Sequence, residues 1–264
     1  MLRIISSITF LCFLVSVQVQ AQFGVKAGVN FTAVGSYGNS EEGESADLKL
    51  GPLFGLVYKA SLSEKVDLMV ELNFEGYGTI SKKEYTIALP VQDPMTGTVL
   101  GIGDYVIDQE IDSRQNYINI PILFAFGQNK FKWYIGPNIR YLLSGSGDID
   151  RTIDINLGGM KVGELNTFEE GLDWFDYESF QSVFVTVPPE DGDFLNRLDV
   201  GINLGAMYNF SDNFFADVRV NQGLLDVSNN NYDFSIYPNE SFLFPSREDT
   251  DRSLSIQLSV GYMF

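Results

Sequence analysis

Residues 254–264 read LSIQLSVGYMF. Leu254, Ile256, Leu258, Val260, Tyr262 and Phe264 take every second position, and Ser255, Gln257, Ser259, Gly261 and Met263 fill the gaps. A period of two makes this a β-strand with one apolar and one small or polar face. About ten residues suffice to cross a bilayer at a tilt. A strand this apolar invites aggregation unless its edge is closed, so the rest of the chain has to supply the closure.

Seven further stretches carry the same pattern. Phe23, Val25, Ala27, Val29 and Phe31 alternate with Gly24, Lys26, Gly28, Asn30 and Thr32. The pattern recurs over Leu50–Ala60, Val66–Glu75, Asn116–Phe126, Phe131–Tyr141, Leu198–Tyr208 and Phe214–Asn221. Short turns at Ser61–Lys65, Gly127–Lys130 and Ser211–Asp212 alternate with long connections over Gly35–Lys49, Ile80–Ser113, Ser144–Asn196 and Asp226–Asp251. Tight turns at one end and large loops at the other are the signature of an outer-membrane barrel. The predicted fold is therefore all-β: an eight-stranded antiparallel up-and-down transmembrane barrel with long extracellular loops. An even strand number puts both termini on the periplasmic side.

The charges decide between a membrane barrel and a secreted sandwich or soluble barrel, the alternatives. Lys26, Lys59, Asp67, Glu71, Glu75, Lys132, Arg140, Asp199, Asp217 and Arg219 all fall on the polar face of their strands. Lys or Arg facing lipid at mid-membrane would cost about 2–4 kcal/mol. A soluble barrel would instead fill its interior with apolar side chains. Tyr58, Trp133, Tyr141, Tyr208 and Tyr262 stand near strand ends, as in an interfacial aromatic girdle.

The N-terminus has the form of an export signal. A charged Met1-Leu2-Arg3 precedes the apolar run Ile4–Val17, and Val19-Gln20-Ala21 supplies a small-residue cleavage site. Residues 1–21 are thus expected to be a signal peptide and residues 22–264 the barrel domain. Cys12 is the sole cysteine and lies in the leader, so no disulfide is expected. The chain has no His, which removes Ser-His-Asp, Cys-His and His-metal chemistry. A net charge of −18 excludes a phosphate-neutralising nucleic-acid surface. No cofactor, metal or catalytic residue is expected, and the protein reads as no enzyme.

The ten strand charges form a luminal cluster, with five acids and five bases. Its readings are an ionic plug, a narrow polar conduit, or acid–base work by Glu71 and Glu75. Acidic stretches at Glu41–Asp47, Asp148–Asp150, Glu169–Glu178, Pro189–Asp193 and Glu248–Asp251 are solvated loops or, alternatively, calcium ligands, though without regular EF-hand spacing. Phe168, Trp174, Phe175, Tyr177 and Phe180 lie among acids in the longest connection, as a partner-binding patch or a satellite core on the barrel rim.

Several stretches resemble the PorT-family outer-membrane β-barrel proteins of Bacteroidetes, a porin-like group. They are FGVKAGVNFT at 23–32, YINIPIL at 117–123, WYIGP at 133–137, the Gly-rich strand 198–208, and the terminal strand. The resemblance implies an eight-stranded barrel in the outer membrane of a Gram-negative bacterium. The family's namesake is associated with protein secretion, and no catalytic motif carries over. Expected partners are outer-membrane lipid, the barrel-assembly machinery, and secretion-system or surface proteins, with no nucleic acid. A narrow pore or an accessory role in secretion stands as the alternative to presenting acidic loops to partners.

Tyr262 and Phe264 resemble the terminal signal by which such barrels are recognised for insertion. Deleting Phe264 is expected to lower outer-membrane levels, while barrels refolded in vitro retain their heat-dependent gel shift. Wild-type membrane levels of the truncated chain would contradict this.

Overall fold

The computed structural model describes residues 21–35, 44–93, 95–128, 130–173, 195–228 and 250–264. These form nine antiparallel strands and no helix among the described residues. They are β1 (Ala21–Gly35), β2 (Glu44–Ser63), β3 (Val66–Gln92), β4 (Val99–Gln128), β5 (Phe131–Leu157), β6 (Met160–Asp173), β7 (Leu198–Asn209), β8 (Phe214–Gly223) and β9 (Arg252–Met263). The signal-peptide reading of residues 1–21 lies, apart from Ala21, outside the described residues.

Eight strands form a closed ring in the order β1-β2-β3-β4-β5-β7-β8-β9, each paired with the next. Closure is made by β1, which pairs β2 on one side and β9 on the other, with Ala27 opposite both Phe54 and Val260. Within the ring the alternation follows the expected faces. Leu56, Ile122, Phe124, Ile135, Ile139, Leu204, Val220 and Leu258 stand exposed on the outer wall. Asn73, Asn119, Asn138, Asn203 and Asn221 are fully buried inside. Water would not tolerate so continuous an apolar wall, but lipid does. At the rim that carries the tight turns, aromatic rings meet in pairs: Phe23 with Tyr58, Phe126 with Trp133, Tyr208 with Phe210, and Tyr262 with both Phe214 and Phe264.

Gly136 marks a close approach between strands. A Cβ there would lie 1.9 Å from the backbone oxygen of Ile122. Only glycine lets β4 and β5 approach this closely.

Two of the connections expected to be polar loops are largely strand over their described residues. β3 and β4 run on past the barrel as a hairpin through 80–113, and β5 continues to Leu157 before β6 returns antiparallel to it. The start of β2 joins the same sheet, with Glu44 opposite Lys83. β4 has 30 residues, where a membrane crossing needs about ten. The portion beyond Tyr117 extends about 60 Å along the strand at ~3.3 Å per residue.

The polarity of the outer face inverts along these strands, and apolar side chains join the inner one. In the barrel, β4 points Tyr117 and Asn119 inward and Ile118, Ile120 and Ile122 outward. In the extension the inward row mixes Ile107 and Ile111 with Gln109, Ser113 and Gln115, and the outward row becomes Asp104, Asp108, Glu110 and Asp112. β5 does the same, with Ile149 and Ile153 buried and Asp148, Asp150 and Asp154 on the other face. The lower part is thus patterned for lipid outside and polar groups inside. The upper part is patterned for water outside. A register shift between Asn116 and Tyr117 marks the change, where β5 carries an extra residue between Leu142 and Ser144.

The extension is also tied across its outer face. Asp148 accepts from the Gly171 amide at 2.8 Å and from Arg114 at 2.7 Å. The Gly171 amide first, and the Arg114 guanidinium with it, hold the Asp148 carboxyl below its ordinary value. A depressed carboxyl contributes stability that is present above its unfolded pKa and lost as pH falls through the folded value.

Amide exchange is therefore expected to be slow across 101–116 and 144–157. After correction for intrinsic rates, the β6 amides are expected to lose protection selectively as pH falls below the ordinary carboxylate value of 3.8. Uniformly fast exchange through both segments at neutral pH would contradict the extended sheet.

Candidate functional site: a packed polar lumen

The inward row of β3 runs Asp67, Met69, Glu71, Asn73, Glu75, Tyr77 and Thr79, all buried, and gives the order of layers through the lumen. At the turn-bearing end Asp67 pairs with Lys132 and accepts from Ser61 at 2.8 Å. Lys59 is half-buried on the same face. Above them lies an apolar layer that includes Val57, Met69, Leu123, Tyr134, Met207 and Phe215.

The next layer is built on Glu71. Arg219 grips it bidentately at 2.8 and 2.9 Å, and Lys26 donates at 2.6 Å. The Arg219 Nε donates to the Tyr134 hydroxyl at 3.0 Å, and that hydroxyl donates in turn to Asp217. Arg219 also stands over the Tyr134 ring at 5.0 Å. Two cations and two carboxylates cancel, and the bidentate geometry fixes their arrangement.

An amide layer follows. Asn138 donates to Asn119 at 2.9 Å, and Asn221 donates to both Asn138 and Asn203 at 2.8 Å. Asn119 and Asn73 donate to Glu75 at 2.8 and 3.3 Å. Beyond it Arg140 pairs with Asp199 and donates to Ser253. Its guanidinium lies 4.9 Å from the Tyr77 ring and 5.7 Å from Tyr117. Tyr77, Tyr117 and Leu142 pack together there with Leu195 against them.

All ten charges singled out from the sequence thus stand on the inner face, and five acid–base contacts tie eight together: Lys26–Glu71, Arg219–Glu71, Arg219–Asp217, Arg140–Asp199 and Lys132–Asp67. Glu75 is held by amides. Glu71 and Glu75, the candidate acid–base pair, are both shut off from solvent; Glu71 is gripped through both oxygens, whereas Glu75 accepts through one oxygen only. Asn73, Asn138, Asn203, Asn221 and Tyr134 share the parity of those charges along their strands, and Tyr117 and Asn119 alternate with the isoleucines of β4, but sequence reasoning gave them no role. The signal was a third kind of inner residue, neither charged nor small, recurring at the same level on neighbouring strands.

Of the aromatic patch, Phe168 lies in β6 and is exposed. Trp174, Phe175, Tyr177 and Phe180 lie outside the described residues. Among the described residues no cluster of metal-type ligands comes together. A cavity of ≈ 460 Å³ opens on the outer wall beside Ala27, Ala206, Ala216, Leu258 and Val260.

The outer membrane protein beta-barrel domain family matches residues 18–229, and the chain belongs to that family. It is an outer-membrane β-barrel protein. Comparison with curated proteins finds no match. Among solved structures, Neisserial surface protein A is similar at 13% identity and TM-score 0.36, with 92% of this chain and 99% of that one covered. Ail of Yersinia pestis, solved with the heparin analogue sucrose octasulfate, is similar at 11% identity and TM-score 0.38, with the same coverage. OprG of Pseudomonas aeruginosa is similar at 11% identity and TM-score 0.31, over 92% of this chain and 96% of that one. All three scores are below one half, so the barrel assignment stands on the strand ring and the family match.

Replacing Glu71 with Leu leaves two buried cations facing one carboxylate. The expected cost is about 3–5 kcal/mol of unfolding free energy, read by urea titration in lipid vesicles. The fourfold change Lys26→Met, Glu71→Leu, Asp217→Asn, Arg219→Met, which removes both cations and both carboxylates together, is expected to recover most of it. A single-variant loss under about 1 kcal/mol would show that the layer does not hold the barrel.

Proposed function

We propose that this protein is a non-enzymatic surface-presentation scaffold of the PorT type, from a Gram-negative bacterium of the Bacteroidetes kind. In this reading the leader Met1–Ala21 exports it, the assembly machinery recognises Tyr262 and Phe264, and both termini remain periplasmic. The barrel anchors, and the extension of β2–β6 displays an acidic sheet to partners outside the cell. The observation that carries the reading is the pairing of a side-chain-filled lumen with strands continuing about 60 Å beyond it at ~3.3 Å per residue. A conduit needs a continuous aqueous path, and the layers at Met69–Phe215 and Tyr77–Tyr117–Leu142 lie across it. A catalyst needs a reacting group open to substrate, and the luminal carboxylates are closed off.

The test is a planar-bilayer recording of the purified full chain. The scaffold reading expects a flat baseline. Stable steps from the wild-type protein would replace the scaffold with the narrow-pore reading.

A further inference from the structure

The far end of the extension is apolar where the rest of it is acidic. At the tip between β3 and β4, Asp93 accepts from the Met95 and Thr96 amides at 2.8 and 3.0 Å. β5 and β6 are joined by Gly158-Gly159, with φ of 58° and 80°, the left-handed pair that a two-residue hairpin turn requires. The two tips stand side by side. Asp104 of β4 pairs with Asn156 of β5, and Leu157 reaches toward Gly101. On them Met95, Ile102 and Met160 are 95%, 75% and 71% exposed, and Val99, Leu100 and Val162 are more than half exposed.

Elsewhere the large exposed apolar side chains belong mainly to the outer wall or the aromatic rim, where lipid covers them. About 60 Å beyond the barrel, at ~3.3 Å per residue, nothing lipidic in the protein's own membrane reaches the tips. Monomeric soluble surfaces rarely leave such a group uncovered. The turns hold it in place, so ordering it on binding costs little.

The surrounding charge selects the occupant. Segments 79–116 and 144–173 hold 6 + 7 = 13 acids against 3 + 2 = 5 bases, a net charge of −8. Lys161, the cation at the β5–β6 tip, is engaged by Asp154 and Glu164 at 2.7 and 2.6 Å. A second copy would bring the same negative field, and an anionic lipid surface would be repelled. From these observations we infer that the paired hairpin tips dock a protein whose apolar surface is rimmed by Lys and Arg. This rests on the scaffold reading and adds the place of contact and the chemistry of the partner.

The test uses the full chain in phosphatidylcholine nanodiscs, with empty discs subtracted. The probe is an amphipathic Leu/Lys peptide, with its Leu/Glu counterpart beside it. The variant Leu100→Ser, Ile102→Ser, Met160→Ser keeps every charge, and its folding is checked by the heat-dependent gel shift. The wild type is expected to bind the Leu/Lys peptide at least tenfold more tightly than the variant and to ignore the Leu/Glu peptide. Equal binding by wild type and variant would overturn the inference in favour of charge alone. Preferential binding of the Leu/Glu peptide, tip-dependent capture of anionic phosphatidylglycerol vesicles, or a tip-dependent dimer in sedimentation would overturn it in favour of another occupant. Bilayer recordings on the same preparation separate the two levels. A non-conducting protein whose tips do not discriminate loses only the tip inference, whereas a conducting one loses the scaffold reading.

Discussion

A backbone amide or carbonyl in hydrocarbon has no water to turn to, and each one left unpaired costs several kcal/mol. The architecture follows from that constraint. A strand such as β9 can enter lipid only between two neighbours, and here it lies between β8 and β1. The first strand is thereby bound to the last, and the sheet becomes a ring with no edge inside the bilayer. Glycine at 136 lets β4 and β5 come close enough for the ring to close tightly.

Closing eight strands leaves a lumen just wide enough for side chains. Lipid outside claims the apolar residues, so polar ones fall inside and have to satisfy one another. Many of them do so in layers: Lys26 and Arg219 on Glu71, amides on one oxygen of Glu75, and Arg140 on Asp199 beside two tyrosine rings. Each buried charge depends on its neighbour, since a partner removed leaves an unpaired ion in a low dielectric. Above the membrane the same strands face water, the outward row turns acidic, and Ile107 and Ile111 join the inner one. One continuous β4 therefore carries two opposed patterns, and the reversal near Asn116 marks where lipid gives way to water.

The ring was legible because each membrane stretch keeps a strict period of two and sends its charges to one face. Lys26, Glu71, Arg140 and Arg219 could be assigned to the lumen from parity alone. The extension was hidden for a related reason. Asp148-Ile-Asp and Asp108-Gln-Glu-Ile-Asp alternate as strands do, but with acid on the face that lipid would have claimed. A template of apolar-out strands reads them as loop. The extra residue between Leu142 and Ser144 breaks the phase at the rim, so the alternation cannot be followed through it. Gly158-Gly159 was the local turn signal for the second hairpin. Which acid meets which base depends on strand stagger around the ring, and spacing along the chain does not encode it. Glu71 and Arg219, 148 residues apart, meet only once the barrel is closed.

The most direct measurement is an accessibility scan along β4 in lipid vesicles. Single cysteines, introduced one at a time from 104 to 124 in a Cys12→Ser background, would carry spin labels exposed to oxygen and to a water-soluble relaxant. The account predicts oxygen maxima at 118, 120, 122 and 124. Above Asn116 the even positions should become the most accessible to the aqueous reagent and the odd positions should stay protected from both. Oxygen maxima that continue at the even positions all the way up to 104, or aqueous access throughout 118–124, would contradict a lipid-embedded ring continuing into a water-facing sheet.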